Sequence, residues 1–162
     1  MKVIFLDIDG VLNSAVYDRT KSFEDGNIDR TRLPILRSII DRTGADVVLS
    51  SSWRIHLDDD CQPYTPTGEG MMRIFHEGGI RISDKTPDGE KRADEIRAWL
   101  EAHTETEAFV ILDDIFFGWG DLQENLVRTN YHIGRGLEQS HADKAVEILT
   151  GSTAFSTSDL IE

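Results

Sequence analysis

Cysteine is nearly missing from this chain. Cys61 stands alone among 162 residues, so no intramolecular disulfide braces the fold, and a small disulfide-stapled scaffold is excluded. Long apolar runs are missing too, and no positively charged start leads into one, so no membrane span is expected and a cytoplasmic setting is the default. Basic residues are the third scarcity: 17 Lys and Arg stand against 30 Asp and Glu, for a formal net charge of −13. That balance favours solubility and provides no extended stripe for gripping a polyanion, although a local basic pocket can still hold one phosphate. No internal repeat or low-complexity tract is present. The length suffices to bury about two thirds of the surface that the unfolded chain exposes. One domain over residues 1–162 is therefore expected, with a small insertion at about 55–84.

What is present is an alternation of short apolar runs with segments of helical period, the pattern of an α/β domain with a mostly parallel sheet. Val3 to Leu6 reads as the first strand. Leu33, Leu36, Ile39 and Ile40 recur at helical spacing between Asp29 and Thr43, with Pro34 near the first turn and Gly44 as a stop. Val47 to Leu49 reads as a second buried strand. Beyond Ile55 the signal weakens; Met71, Met72, Ile74 and Phe75 predict a short helix before Gly78 and Gly79. Ile80 and Ile82 predict a short strand, and Thr86 to Gly89 a turn. A helix over about Lys91–Ala102 presents Ala93, Ile96 and Leu100 inward, with Trp99 at the margin. Ala108 to Leu112 and Leu126 to Thr129 predict further strands. Ser140 is positioned to cap a last helix carrying Ala142, Ala145, Val146 and Leu149 on one face, and the tail after Gly151 is expected to fray.

Three of the apolar strands end in chemically loaded residues: Asp7 and Asp9, then Ser50, then Asp113 and Asp114. In open α/β sheets the ligand crevice lies outside the carboxyl ends of the strands, so these residues are expected at one rim. Two carboxylates about 4 Å apart repel by several kcal/mol at an effective dielectric of ~20 unless a cation sits between them. Hard oxygen donors without a His or Cys cluster point to Mg²⁺, which keeps a few carboxylates, some water and a substrate phosphate. Metal-dependent chemistry on a phosphate follows.

Residues and order together resemble the haloacid dehalogenase (HAD) superfamily of phosphohydrolases. Its four motifs appear here as Asp7-Ile8-Asp9-Gly10, Ser50, Lys91 and Asp113-Asp114, and the likeness runs from Val3 to about Leu149. The resemblance implies a Rossmann-like three-layer sandwich and a Mg²⁺-dependent phosphatase that works on a phosphomonoester through an aspartyl phosphate. It makes Asp7 the nucleophile and Asp9 the general acid and base. Residues two apart in an extended segment face the same side, so both can meet one substrate. Asp7, the Asp9 carbonyl, Asp113 and Asp114 would hold the metal, while Ser50 and Lys91 would bind the phosphoryl group, with Ser51 and Arg92 as rivals for those two roles. Only short stretches separate Gly10 from Val47 and Arg54 from Lys91, so the enzyme looks nearly capless. The compact chain and the Val47–Arg54 stretch are similar to HAD domains associated with polynucleotide end repair. A 3′ or 5′ phosphate on a nucleic-acid end is thus a substrate alternative to a small phosphomonoester, and a phosphotransferase outcome stays open.

Other residues admit two readings. Asn13 either touches the phosphate or leaving group or closes a turn. Arg54 either binds a second substrate phosphate or carboxylate or is a solvated surface charge. Trp53 reads as core more readily than as a platform for a base. Asp58-Asp59-Asp60 reads as a solvated loop with an Asx turn, Phe116 to Trp119 as a packed loop, and Cys61 as an inert residue of a polar loop; the five histidines show no metal-ligand spacing. A receiver-like signalling module also uses acids, a hydroxyl and a Lys around Mg²⁺, but its acidic pair comes first in the chain. A non-catalytic phospho-ligand module on a degenerate hydrolase scaffold is the remaining alternative.

Overall fold

A computed structural model describes residues 1–20 and 27–151, the side chains of Arg19 and Thr20 excepted. The expected fraying after Gly151 falls outside these residues. Five strands form one sheet: β1 (Lys2–Leu6), β2 (Asp46–Leu49), β3 (Ile82–Lys85), β4 (Ala108–Asp113) and β5 (Leu126–Arg128). Their spatial order is β3-β2-β1-β4-β5, and every pairing is parallel. Among the described residues the helices are α1 (Ala15–Thr20), α2 (Leu33–Thr43), α3 (Pro66–Glu77), α4 (Arg92–Ala102) and α5 (Gln139–Thr150), with three 3-10 helices between them.

Val3, Ile4, Phe5 and Leu6 are all fully buried, which is why β1 reads as an unbroken apolar run. Successive residues point to opposite faces. Ile4 and Leu6 join a core with Leu36 and Ile39 of α2, Phe75 of α3 and Ala142 of α5. Val3 and Phe5 join the other, with Ala93, Ile96 and Trp99 of α4 and with Trp119. Burying such side chains on both sides contributes roughly 1.5–3 kcal/mol each. The sheet is thereby fixed in register, with Leu6 opposite both Leu49 and Leu112.

Several local expectations shift. The α2 helix starts at Leu33 because residues 30–32 form a separate 3-10 turn, in which Asp29 accepts from the Thr31 N–H. The α3 helix is a full twelve residues, begun by Pro66 and capped by the Thr65 hydroxyl, which accepts from the Gly68 N–H at 2.9 Å. Its two early glycines hide it from propensity reasoning, yet a Cβ on Gly68 would stand 2.5 Å from the His56 carbonyl, so close packing explains that glycine. Trp99, not Leu100, is the buried member of α4: it meets Phe5 edge-on at 5.3 Å and donates its indole N–H to Asp84 at 2.8 Å. A satisfied N–H makes that burial affordable. Residues 86–89 form no assigned turn, and the Thr86 N–H donates to the Leu49 carbonyl. Cys61 is buried rather than part of a polar surface, and burial raises its thiol pKa, which suits an inert residue. No helix among the described residues is long and apolar enough to cross a membrane.

The α5 cap also differs from expectation. Glu138 is its N-cap and Ser140 lies inside the helix; the Glu138 N–H donates to His141 Nδ1 at 2.9 Å. That bond requires a deprotonated Nδ1, and burial lowers the His141 pKa, with Glu138 opposing. A base whose folded pKa is depressed contributes stability above its unfolded pKa of about 6.5 and loses it as pH falls through the folded value. His141→Ala should therefore destabilise the protein by about 1 kcal/mol at pH 8, the worth of a cap. The deficit should shrink towards zero at pH 5 in thermal unfolding, and an equal deficit at both pH values would show that the bond does not titrate.

Candidate active site

Each site carboxylate stands where a central strand stops. Asp7 follows β1, and its N–H still donates to the Leu112 carbonyl at 3.0 Å. Asp113 ends β4 and is fully buried, while Asp114 beside it is half-buried. Carboxylate oxygens of Asp7, Asp113 and Asp114 come within 4.8 Å of one another. Burial raises the Asp7 pKa well above the usual carboxylate range, with Asp113 adding to it and Arg92 opposing. Burial likewise raises Asp113 and Asp114. Three hard oxygen donors with this unfavourable self-energy and no His or Cys beside them fit a divalent cation such as Mg²⁺.

The turn after Asp7 is built for close approach. Gly10 has φ +84, and a Cβ there would lie 2.2 Å from Asp114 Oδ2, so no other residue lets the two loops meet. Its N–H donates to Asn13 Oδ1 at 2.9 Å, and its carbonyl accepts from the Thr129 hydroxyl at 2.6 Å. Thr129 also donates its N–H to the Asp113 carbonyl at 3.0 Å, which ties the two acidic loops together.

Asn13 closes that turn and does more: its Nδ2 donates to Asp9 Oδ1 at 3.0 Å and to the Asn27 carbonyl at 2.7 Å. The other oxygen of Asp9 accepts from Trp53 Nε1 at 3.1 Å. Asp9 is itself exposed, so its carboxylate is held from both sides while staying open to a ligand. Trp53 is half-buried and packs against the core, but its polar edge belongs to the site. Sequence reasoning missed that contact, because nothing local links residues 44 positions apart.

The two serines separate cleanly. Ser51 accepts from the Trp53 N–H at 3.2 Å and so caps the following 3-10 helix. Ser50, at the end of β2, is buried with no partner for its hydroxyl. A buried orphan hydroxyl at this rim is uncommon enough to need a reason. The cations separate as well. Lys91 is exposed at the N-cap of α4, whereas Arg92 NH1 lies 2.8 Å from Asp113 Oδ2 and 3.3 Å from Asp7 Oδ1. Lys91 stays exposed in the extended residue just before the helix, whereas Arg92, the first helical residue, is turned onto the carboxylates. Burial lowers the Arg92 pKa, yet Asp7, Asp113 and Glu95 outweigh it and raise it, so the guanidinium stays charged.

Arg54 is not the solvated charge of the second sequence reading. It is buried, donating to the Ser51 carbonyl at 3.0 Å, to Asp88 at 3.0 Å and to Glu95, which holds the β2 loop to α4. Asp58 accepts from the N–H groups of Asp60 and Gln62, an Asx turn of the expected kind. Phe116 and Phe117 are exposed, whereas Trp119 is buried.

A parallel α/β sheet whose central strands end in an Asp-x-Asp, a serine and an acidic pair defines a domain of the haloacid dehalogenase type. More narrowly, the chain belongs to the family of HAD domains in Swiss Army Knife RNA repair proteins, whose family model matches residues 3–142. No curated protein and no solved structure matches it. Membership supports a phosphohydrolase or end-processing role. HAD domains generally use Mg²⁺, and the Asp7, Asp113 and Asp114 set offers a place for it.

Proposed function

We propose that the protein is a Mg²⁺-dependent phosphatase acting on a phosphomonoester, with a phosphorylated RNA end as the substrate class that the family match favours. The observation that carries this reading is the convergence of Asp7, Asp113 and Asp114 within 4.8 Å, with Arg92 against them. Asp7 attacks phosphorus in line, and as its new bond to phosphorus forms, the bond to the ester oxygen breaks. Asp9 gives its proton to the departing oxygen, then takes one from the water that attacks the aspartyl phosphate; inorganic phosphate leaves and both carboxylates are restored. Arg92 and the Ser50 hydroxyl bind phosphoryl oxygens, while Asn13 and Trp53 keep Asp9 aimed at the ester oxygen. Bound Mg²⁺ supplies the positive charge that lets an anionic nucleophile and an anionic ester approach.

A second alcohol in place of water would give a phosphotransferase through the same intermediate. The receiver-like alternative loses ground on topology, since receivers have the order 2-1-3-4-5 and this sheet runs 3-2-1-4-5. The reading includes a cytoplasmic setting and one domain carrying the whole site, for which the near absence of cysteine speaks.

The test is phosphate release from an aryl phosphate and from 3′- and 5′-phosphorylated oligoribonucleotides. Release that stops with EDTA and returns with Mg²⁺ is expected; release unaffected by EDTA, or none from any ester, would remove the reading.

A further inference from the structure

Beside Asp9 lies a cleft of about 420 Å³, within the range of small-ligand sites. Its lining is mixed: Ile8, Ile28, Met71, Ile74 and the Trp53 indole supply an apolar part, and Asn27, Thr67 and two arginines a polar one. Ile8 sits between the two aspartates in the chain, and Trp53 donates to Asp9. The cleft therefore lies next to Asp9, the group that hands a proton to the leaving group in the proposed reaction. Among the described residues Arg30 and Arg73 are the charged ones along it, and none of those lining it is acidic, in a chain whose net charge is −13. Arg30 is partly neutralised by Glu77 at 2.6 Å, which leaves Arg73 as the more available of the two.

We infer that this cleft receives the terminal nucleoside of a phosphorylated RNA end, its base against Trp53 and its next phosphodiester towards Arg73. This inference rests on the phosphatase reading for the orientation of the leaving group. A nucleotide is the occupant whose chemistry matches this mixture: a flat base for the indole and the aliphatic side chains, base and sugar polar atoms for Asn27 and Thr67, and an anionic continuation for the arginines. A sugar phosphate would leave the apolar lining wet, and a phosphopeptide carries no regular anionic continuation. Met71 contributes an adaptable thioether wall that tolerates more than one base. Because the residue that contacts the base also donates to Asp9, filling the cleft would fix the proton carrier. Specificity and acid positioning thus meet at Trp53.

The experiment measures binding in EDTA, where nothing is turned over, using labelled RNA with a 3′ or a 5′ phosphate. Each RNA is compared with a copy that is abasic at the phosphorylated nucleotide. At least one end type should bind about ten-fold more tightly with its base than without it. Met71→Trp, which fills the cleft, and Arg73→Glu, on the exposed side of α3, should each reduce binding of the favoured end about ten-fold, Met71→Trp also erasing the base preference. Arg73→Glu should leave aryl-phosphate kcat/KM within about two-fold of wild type, since an aryl ester carries no further phosphodiester to meet Arg73. Equal binding of ordinary and abasic ends by wild type, or base preference that survives Met71→Trp together with unchanged affinity in Arg73→Glu, would overturn the assignment. The two readings fail separately: base preference without phosphate release from any ester strikes the reaction and supports the cleft, whereas phosphate release without base preference strikes the cleft alone.

Discussion

Asp7→Asn should yield a folded protein that releases phosphate at least about 10³-fold more slowly than wild type, a loss of about 4 kcal/mol of transition-state stabilisation. The amide is nearly isosteric but cannot form an acyl phosphate, so the covalent route closes while the surrounding packing stays. The stability readout separates this from misfolding. Asp7 is 5% exposed, and burial with Asp113 raises its pKa well above the usual range even with Arg92 opposing, so the ionised form is disfavoured where it sits. Replacing it by a neutral group should leave the Tm of the metal-free protein equal to or above that of wild type. The rise in Tm on adding Mg²⁺ should be smaller than in wild type, because one of three donors has lost its charge. Full activity in Asp7→Asn would show the nucleophile to be elsewhere. Lost activity with a lower Tm in both conditions would mean that Asp7 matters to folding first.

The central strands and the acids at their ends were legible because both depend on local signals. A strand buried on two faces needs a short unbroken apolar run, and β1 has four such residues, β2 three and β4 five before a polar residue marks the rim. Parallel pairing then carries Asp7, Ser50 and Asp113 to one edge whatever lies between them. What stayed illegible depends on phase or on distant partners. Lys91 and Arg92 are adjacent and chemically alike, and only the rotation of α4 against β4 decides which meets Asp113. Arg54 reads as a rim cation until Glu95, 41 positions on, is seen to bury with it. Trp53 reads as core because its apolar body is indeed packed, while the one polar atom that matters points to Asp9. Helix α3 was shortened by its glycines, one of which exists to let His56 approach rather than to break the helix.

The choice between the two cations has a large and separable consequence. Arg92→Ala should lower kcat/KM for phosphate release by about 10²- to 10³-fold, whereas Lys91→Ala should stay within about two-fold. Arg92 bonds to Asp113 at 2.8 Å and lies 3.3 Å from Asp7, so it stands in the space between the nucleophile and the acid that fixes it. Without it, two buried carboxylates face each other unopposed, and removing one partner of a buried ion pair typically costs about 3–5 kcal/mol. The metal-free Arg92→Ala protein should accordingly melt well below wild type, and Mg²⁺ should recover much of the difference by supplying the missing positive charge. Arg92→Lys preserves the charge but not the planar fork that reaches Asp7, Asp113 and Glu95 together, so it should restore the Tm more completely than the rate. Rates and melting curves for the three variants, each with Mg²⁺ and with EDTA, decide the matter. A large rate loss in Lys91→Ala with Arg92→Ala near wild type would hand the phosphoryl-binding role back to Lys91 and leave Arg92 as a brace between β1, β4 and α4.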